Sequence, residues 1–243
     1  MLLLVRYLLF SLYFGLVAIL GVVVCLFRPF NPNNNRLLAR IFSYGGLKIL
    51  GLKVNIENPE RLVELKPGVV VSNHQSNLDL FVLGCIVPPK TASIGKKSLK
   101  WVPFFGQLYW LAGNVLIDRN NAREAIGALD DVSKAIHEDK RSIWVFAEGT
   151  RNKGRGLGRF KKGAFHIAIQ AQCEITPIAA GTYSGRLKLN EWRSGEVTIS
   201  ILPTVSAKGL EEKDVDDLLH KVHLEIANEI GRLDTLIPVP LDE

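Results

Sequence analysis

The sequence predicts an α/β fold, a roughly seven-stranded sheet covered by helices, behind an N-terminal apolar helical membrane anchor. Three observations predict it. Short apolar, β-rich runs alternate with longer helix-like segments, the pattern of a sheet with helices packed against it. The 243 residues, 47% of them hydrophobic, suit one sizeable α/β domain plus something more apolar, and that surplus is concentrated near the N-terminus. Finally, three of the β-rich runs end in polar residues, as at the carboxyl edge of an open sheet where ligands bind.

The anchor comes first. From Tyr7 to Phe27, "YLLFSLYFGLVAILGVVVCLF" holds 21 residues without a charge, enough as a helix to cross a hydrocarbon core of about 30 Å. A signal peptide has a shorter apolar region followed by a small-x-small cleavage site, and "VVVCLFRPF" offers none. Arg28, Arg36 and Arg40 follow the segment while only Arg6 precedes it, so the positive-inside rule places the remaining chain on the cytoplasmic side of the membrane. A second apolar stretch, "LLARIFSYGGLKILGL" (37–52), carries Arg40 and Lys48 and is expected to break at Gly45-Gly46, as an interfacial helical element. The first segment can span the bilayer or lie with the second as a helical hairpin. Residues 1–52 form the anchor in either case.

Strands follow at 52–56, 68–72, 91–94, 114–117, 142–146, 175–180 and 196–201, and helices at 121–138, 161–171 and 212–233. In the last helix Val215, Leu218, Leu219, Val222, Ile226 and Ile230 make one apolar face. The chain shows no internal repeat and no low-complexity linker. Cys25, Cys85 and Cys173 have neither disulfide-framework nor zinc spacing, in keeping with a reducing compartment. His220 and His223 are one helical turn apart but lack a third ligand, so they read as polar positions on an amphipathic helix and no metal is expected.

The chemistry starts in "VVVSNHQSNLDLF" (69–81), where His74 and Asp79 stand five residues apart. On an ideal helix that separation turns the side chains about 140° away from each other. The pair can meet only if the chain leaves a strand at Val71, turns through Ser72 and Asn73, and begins a helix near Gln75. Two other runs end alike, Ile117 leading into Asp118-Arg119 and Phe146 into "AEGTR". Polar residues beyond three strands converge on one pocket, uniting His74, Asp79, Arg119, Glu148 and Arg151. A His with a carboxylate partner is an oriented general base, and two guanidiniums make a phosphate clamp. The set suggests removal of a proton from a molecule that carries a phosphate.

"NHQSNLD" (73–79), "GNVLIDR" (113–119), "FAEGTR" (146–151) and "ITPI" (175–178) resemble the four ordered blocks of the glycerolipid acyltransferases, and the resemblance extends over nearly the whole chain. It implies that 53–243 is an acyltransferase catalytic domain that moves a fatty acyl group from a thioester to the free sn-2 hydroxyl of a lysophosphatidate, giving phosphatidate. Acyl-CoA or acyl carrier protein is the implied co-substrate, with no cofactor. His74 becomes the catalytic base and Asp79 its partner. Arg119, Glu148, Gly149, Thr150, Arg151 and Lys161 fall at acceptor-phosphate positions, and Pro177 on the fourth block is assigned to acyl-donor or lipid contact. The chain departs from the blocks at Ala147 and Glu174, where Pro is usual or frequent.

Base catalysis of this kind needs no Ser or Cys nucleophile. "GTYSG" (181–185) places its Ser fourth and is not the hydrolase G-x-S-x-G. The stretch "WVPFFGQLYWL" (101–111) supplies Trp101, Phe104 and Phe105 as interfacial lipid contacts, with buried core as the alternative. The run 151–162, six cations without an acid, suits anionic headgroups or coenzyme phosphates rather than nucleic acid in an anchored protein, and its glycines suggest a mobile loop. Alternatives are an acyltransferase for another lysophospholipid or for glycerol phosphate, a membrane-bound thioesterase, and a non-catalytic lipid-binding protein.

Overall fold

The computed structural model describes residues 1–117 and 133–236. Its eight-stranded sheet is built around β2 (Gly68–Ser72), which is buried at every residue. Val69 and Val71 face one hydrophobic cluster and Val70 the other, so the strand needs an apolar cover on both sides. It pairs in parallel with β5 (Ser142–Phe146) on one side and β6 (Glu174–Ala180) on the other. Beyond β5 lie β3 (Thr91–Lys96) and β4 (Val115–Ile117), also parallel. Beyond β6 lie β7 (Gly195–Ile201), antiparallel to β6, and β1 (Leu52–Glu57), parallel to β7. The two-residue β8 (Val205–Ser206) adds an eighth strand that the sequence did not signal.

The parallel arrangement brings the carboxyl ends of β2, β3, β4, β5 and β6 to one edge. The predicted strand runs match within two residues, and Pro177 shows how a strand interior tolerates a residue without an N–H. It lies between the rungs of β6 to β8 (Glu174 and Ile175) and those of β6 to β7 (Ile178–Ala180), where no donor is needed on that side. Pro177 is buried and opposite Val71, inside the sheet.

One face of the sheet is covered by α6 (Gly163–Gln170) and α7 (Val215–Leu236). The apolar face read for the last helix is buried as expected, with Val215, Leu218, Val222 and Ile226 in the core and Leu219 and Ile230 packed against it. The other face carries α1 (Leu2–Phe27), α2 (Asn34–Leu50), the single turns α3 (Glu60–Val63) and α4 (Asp79–Val82), and α5 (Phe105–Leu111). Ala39 and Leu50 of α2 share a cluster with Val70 and Ile178, so this helix belongs to the core of the sheet.

The expected break at Gly45-Gly46 does not occur. A Cβ on Gly45 would stand 2.2 Å from the Tyr13 ring and one on Gly46 2.2 Å from Phe81, so both glycines let aromatic rings lie against an unbroken α2. The helix expected from about Gln75 starts only at Asp79, and the one expected from 161 starts at Gly163. The helix expected over 121–138 falls largely outside the described residues, of which 133–137 are helical.

α1 is the one described helix long and apolar enough to cross a membrane. It is also tied to the domain at both ends. Arg6, 5% exposed, donates to the Leu189 and Trp192 carbonyls at 2.7 and 2.6 Å, and just past the C-terminus Phe30 N–H donates to Leu111 O at 2.9 Å. Between these ties Val17, Ala18 and Cys25 pack on Leu38, Phe42 and Leu108, while Leu8, Leu12, Leu16, Leu20 and Phe27 stay exposed on the outer side.

Candidate active site

β2 ends at Ser72, and the next four residues are held from both neighbouring strands. Asn73 continues the pairing with side-chain atoms: its Nδ2 donates to Ala180 O at 2.8 Å and its Oδ1 accepts from Ala180 N at 2.9 Å. Gln75 donates to Gly181 O at 2.8 Å and accepts from Tyr183 N at 3.0 Å. On the β5 side, Asn152 N–H donates to His74 O at 2.8 Å, Lys153 N–H to Gln75 O at 3.0 Å, and His74 N–H to Glu148 Oε1 at 2.7 Å. Buried polar groups must be paired, and here the pairing fixes the loop backbone.

Asp79 opens α4 and reaches back, as the His-x4-Asp spacing requires. Its Oδ2 lies 2.6 Å from His74 Nδ1 and accepts from Gln75 N and Ser76 N at 2.7 and 3.0 Å. Oδ1 accepts from the Tyr183 hydroxyl. The carboxylate is 2% exposed, and four donors fill its acceptor capacity. An oxygen already accepting two backbone N–H groups takes the imidazole as donor at Nδ1, which leaves the Nε2 lone pair for a substrate proton. The His74 ring stacks on Phe146 at 4.1 Å and 21°. Its side chain is 19% exposed, so it is fixed but reachable.

Tyr183 had no signal in the sequence. "GTYSG" reads as a loop after a strand, and only the turn at the end of β6 brings its phenol to Asp79, 104 residues away. Burial first, and then the Asp79 charge, push the Tyr183 pKa upward, so the hydroxyl remains a protonated donor. Phe146, Asn73 and Gln75 stand within the motif blocks, but the sequence assigned them no role.

Glu148, expected near the acceptor phosphate, is turned inward and 3% exposed. Besides His74 N–H it accepts Gly158 N–H at 2.8 Å and both oxygens lie within 3.3 Å of Asn152 Nδ2. Its work is to tie the loop after β5 to the loop after β2. The glycine-rich segment expected as a mobile loop is therefore a packed strap. A Cβ on Gly158 would stand 2.7 Å from Glu148 Oε2, and one on Gly154 (φ +76°) 2.3 Å from Ser184 O.

Thr150, just before this strap, and Arg151 and Lys161, near its two ends, are exposed, and Gly149 is half-buried. Arg119 lies outside the described residues. Trp101 and Phe104 are exposed, at 76% and 54%, whereas Phe105 packs on Phe14 and Phe42 and belongs to the core under α1. The buried-core alternative holds for Phe105, while Trp101 and Phe104 face outward. Cys25 and Cys173 are buried, and burial raises all three thiols, Cys173 to about 11, so none resembles an activated nucleophile. Among the described residues no group of His, Cys, Asp and Glu could hold a metal.

A family model described as Acyltransferase matches residues 53–181. The chain is 39% identical over 220 residues to the 1-acyl-sn-glycerol-3-phosphate acyltransferase of Haemophilus influenzae, covering 90% of this chain and 91% of that protein. It is also 39% identical over 235 residues to the enzyme of the same name from Escherichia coli, covering 96% and 95%. Among solved structures, the 1-acyl-sn-glycerophosphate acyltransferase of Thermotoga maritima shares the fold with a TM-score of 0.74, at 23% identity over 98% of this chain and 100% of the other. With a His-Asp pair at the carboxyl edge of the sheet, and relatives that match along nine-tenths of its length, this chain is an enzyme of the acyltransferase family.

Proposed function

We propose that the enzyme transfers a fatty acyl group from a thioester to the sn-2 hydroxyl of 1-acyl-sn-glycerol-3-phosphate, forming phosphatidate for phospholipid synthesis. The observation that carries this reading is the His74 Nδ1 to Asp79 Oδ2 contact of 2.6 Å in a loop fixed from both sides. His74 Nε2 takes the hydroxyl proton as the oxygen attacks the thioester carbonyl. Asp79 holds the tautomer and stabilises the imidazolium, and the proton then goes to the departing thiolate. Positioned base catalysis of this kind contributes about 10²- to 10⁴-fold.

Arg151, with Thr150 and Gly149 beside it, Lys161, and Arg119 bind the acceptor phosphate. Acyl-CoA or acyl carrier protein serves as donor. The catalytic domain faces the cytoplasm, and the anchor lies in the membrane interface with the outer side of α1 among the lipid tails. The ties of Arg6 and Phe30 support this in-plane placement, because a helix held along the domain at both ends cannot stand away from it to cross a bilayer. Exposed Trp101 and Phe104 extend the same lipid contact.

Steady-state kinetics of Arg151→Ala test the phosphate assignment. The acceptor KM is expected to rise about tenfold or more with the donor KM nearly unchanged, and Arg151→Lys to recover only part, since a point charge cannot reproduce the bidentate fork. Equal rises in both KM values would contradict it.

A further inference from the structure

The sheet has a second edge, and it carries a cleft that the reaction does not use. A cavity of about 520 Å³ lies beneath α2, lined by Arg36 and Arg40 from that helix, Lys90 just before β3, Lys140 just before β5, and Pro67 just before β2. These are the amino ends of parallel strands, whereas His74 follows the carboxyl end of β2. A five-residue strand at ~3.3 Å per residue puts the cleft roughly 15 Å from the imidazole.

Its charge is unbalanced. Among the described residues four cations from three segments line the cavity and no carboxylate does. Among the described residues none of the four forms an ion pair. Arg36 Nε is buried without a hydrogen-bond partner. Partial burial first, and then the neighbouring Arg40 charge, lower the Arg36 pKa, so two like charges stand together at the cleft. A buried donor without an acceptor calls for an anion or a water, and two adjacent guanidiniums favour a polyvalent oxyanion. Lys90 and Lys140 stand on turns with left-handed φ values of +51° and +52°, and Ser142 N–H ties the two turns together through Lys90 O at 3.0 Å.

The remaining wall is apolar, formed by Leu62, Val63, Ile86 and Val87 with prolines. Next to Arg36 and Arg40 in the chain, α2 exposes Leu37 and Ile41. A soluble anion would use the cations alone, whereas a lipid uses both halves.

We propose that this cleft is a binding site for an anionic phospholipid distinct from the reacting acceptor, with the phosphate between Arg36 and Arg40 and the glycerol and first methylenes against the Leu62 to Val87 wall. The site fixes how the enzyme sits on an anionic bilayer, and it does not depend on the identity of the acyl donor or acceptor.

The test uses the full chain and vesicle flotation, with phosphatidylcholine alone and with about one-third phosphatidylglycerol. Arg36→Gln/Arg40→Gln is expected to lose about tenfold or more of the preference for the anionic vesicles, while Lys48→Gln/Lys100→Gln, with the same loss of charge on exposed residues outside the cleft, loses about twofold. Binding to phosphatidylcholine and turnover in detergent micelles stay unchanged in both. Equal losses in the two variants, or an undiminished preference in the first, would overturn the proposal. Native mass spectrometry of the detergent-solubilised wild type decides the matter even where the double variant folds poorly. Retained phosphatidylglycerol that inorganic phosphate does not displace supports the lipid site, and displacement by inorganic phosphate at equal concentration would reduce it to a soluble-anion site and overturn it.

Discussion

The loop after β2 and helix α1 are held by opposite means. Residues 73–79 are set by buried polar contacts, each directional and each dependent on one partner: Asn73 with Ala180, Gln75 with Tyr183, His74 with Glu148, Asp79 with the imidazole. α1 is set by apolar packing along one side and by Arg6 at its start, with its outer side exposed. Hydrogen-bond networks lose much when one member is removed, because the others are left buried and unpaired. Apolar contact is spread over many small terms. One region is built for a single geometry, and the other leaves a long apolar face uncovered.

Three substitutions sharpen this contrast. Glu148→Ala should have the largest effect on the structure, since it leaves the His74 and Gly158 N–H groups and the Asn152 amide without an acceptor in a buried position. A destabilisation of about 3 kcal/mol or more and near-complete loss of turnover are expected, read by thermal unfolding and acyl transfer together. An intact Tm would show that the strap is not what holds the loop.

Tyr183→Phe comes next. It removes one donor of four from Asp79 and leaves the packing, so kcat should fall about tenfold with acceptor KM unchanged and stability lower by about 1–2 kcal/mol. A change in KM alone would mean that Tyr183 touches substrate instead of Asp79. Leu16→Ser, on the outer side of α1, should be the mildest: within about 0.5 kcal/mol in detergent, with full turnover on a micellar acceptor and weaker retention on vesicles. A large loss of stability would show that this face is packed in the protein.

The same contrast explains what could be read from the sequence. His74 and Asp79 were legible because an apolar run ending in His-x4-Asp has few ways to bring the two together, and parallel strands send their polar ends to one edge. The apolar face of α7 was legible from its periodicity. Tyr183 was not, because its function depends on a contact across 104 residues. Glu148 carried the right motif but its direction is decided by Gly158 and Asn152, ten and four residues on. Gly45-Gly46 looked like a helix break by propensity, and tertiary packing of Tyr13 and Phe81 overrides it.

The role of His74 is open to one direct assay. Purified enzyme and His74→Gln are mixed with an acyl thioester, with and without 1-acyl-sn-glycerol-3-phosphate, and free thiol release is followed alongside the thermal unfolding of each protein. Release should require the acceptor in the wild type and fall by about 10²- to 10⁴-fold in the variant at an unchanged Tm. Turnover of the variant within a few fold of wild type, or release without acceptor at the full rate, would contradict a proton transfer from the acceptor hydroxyl to His74.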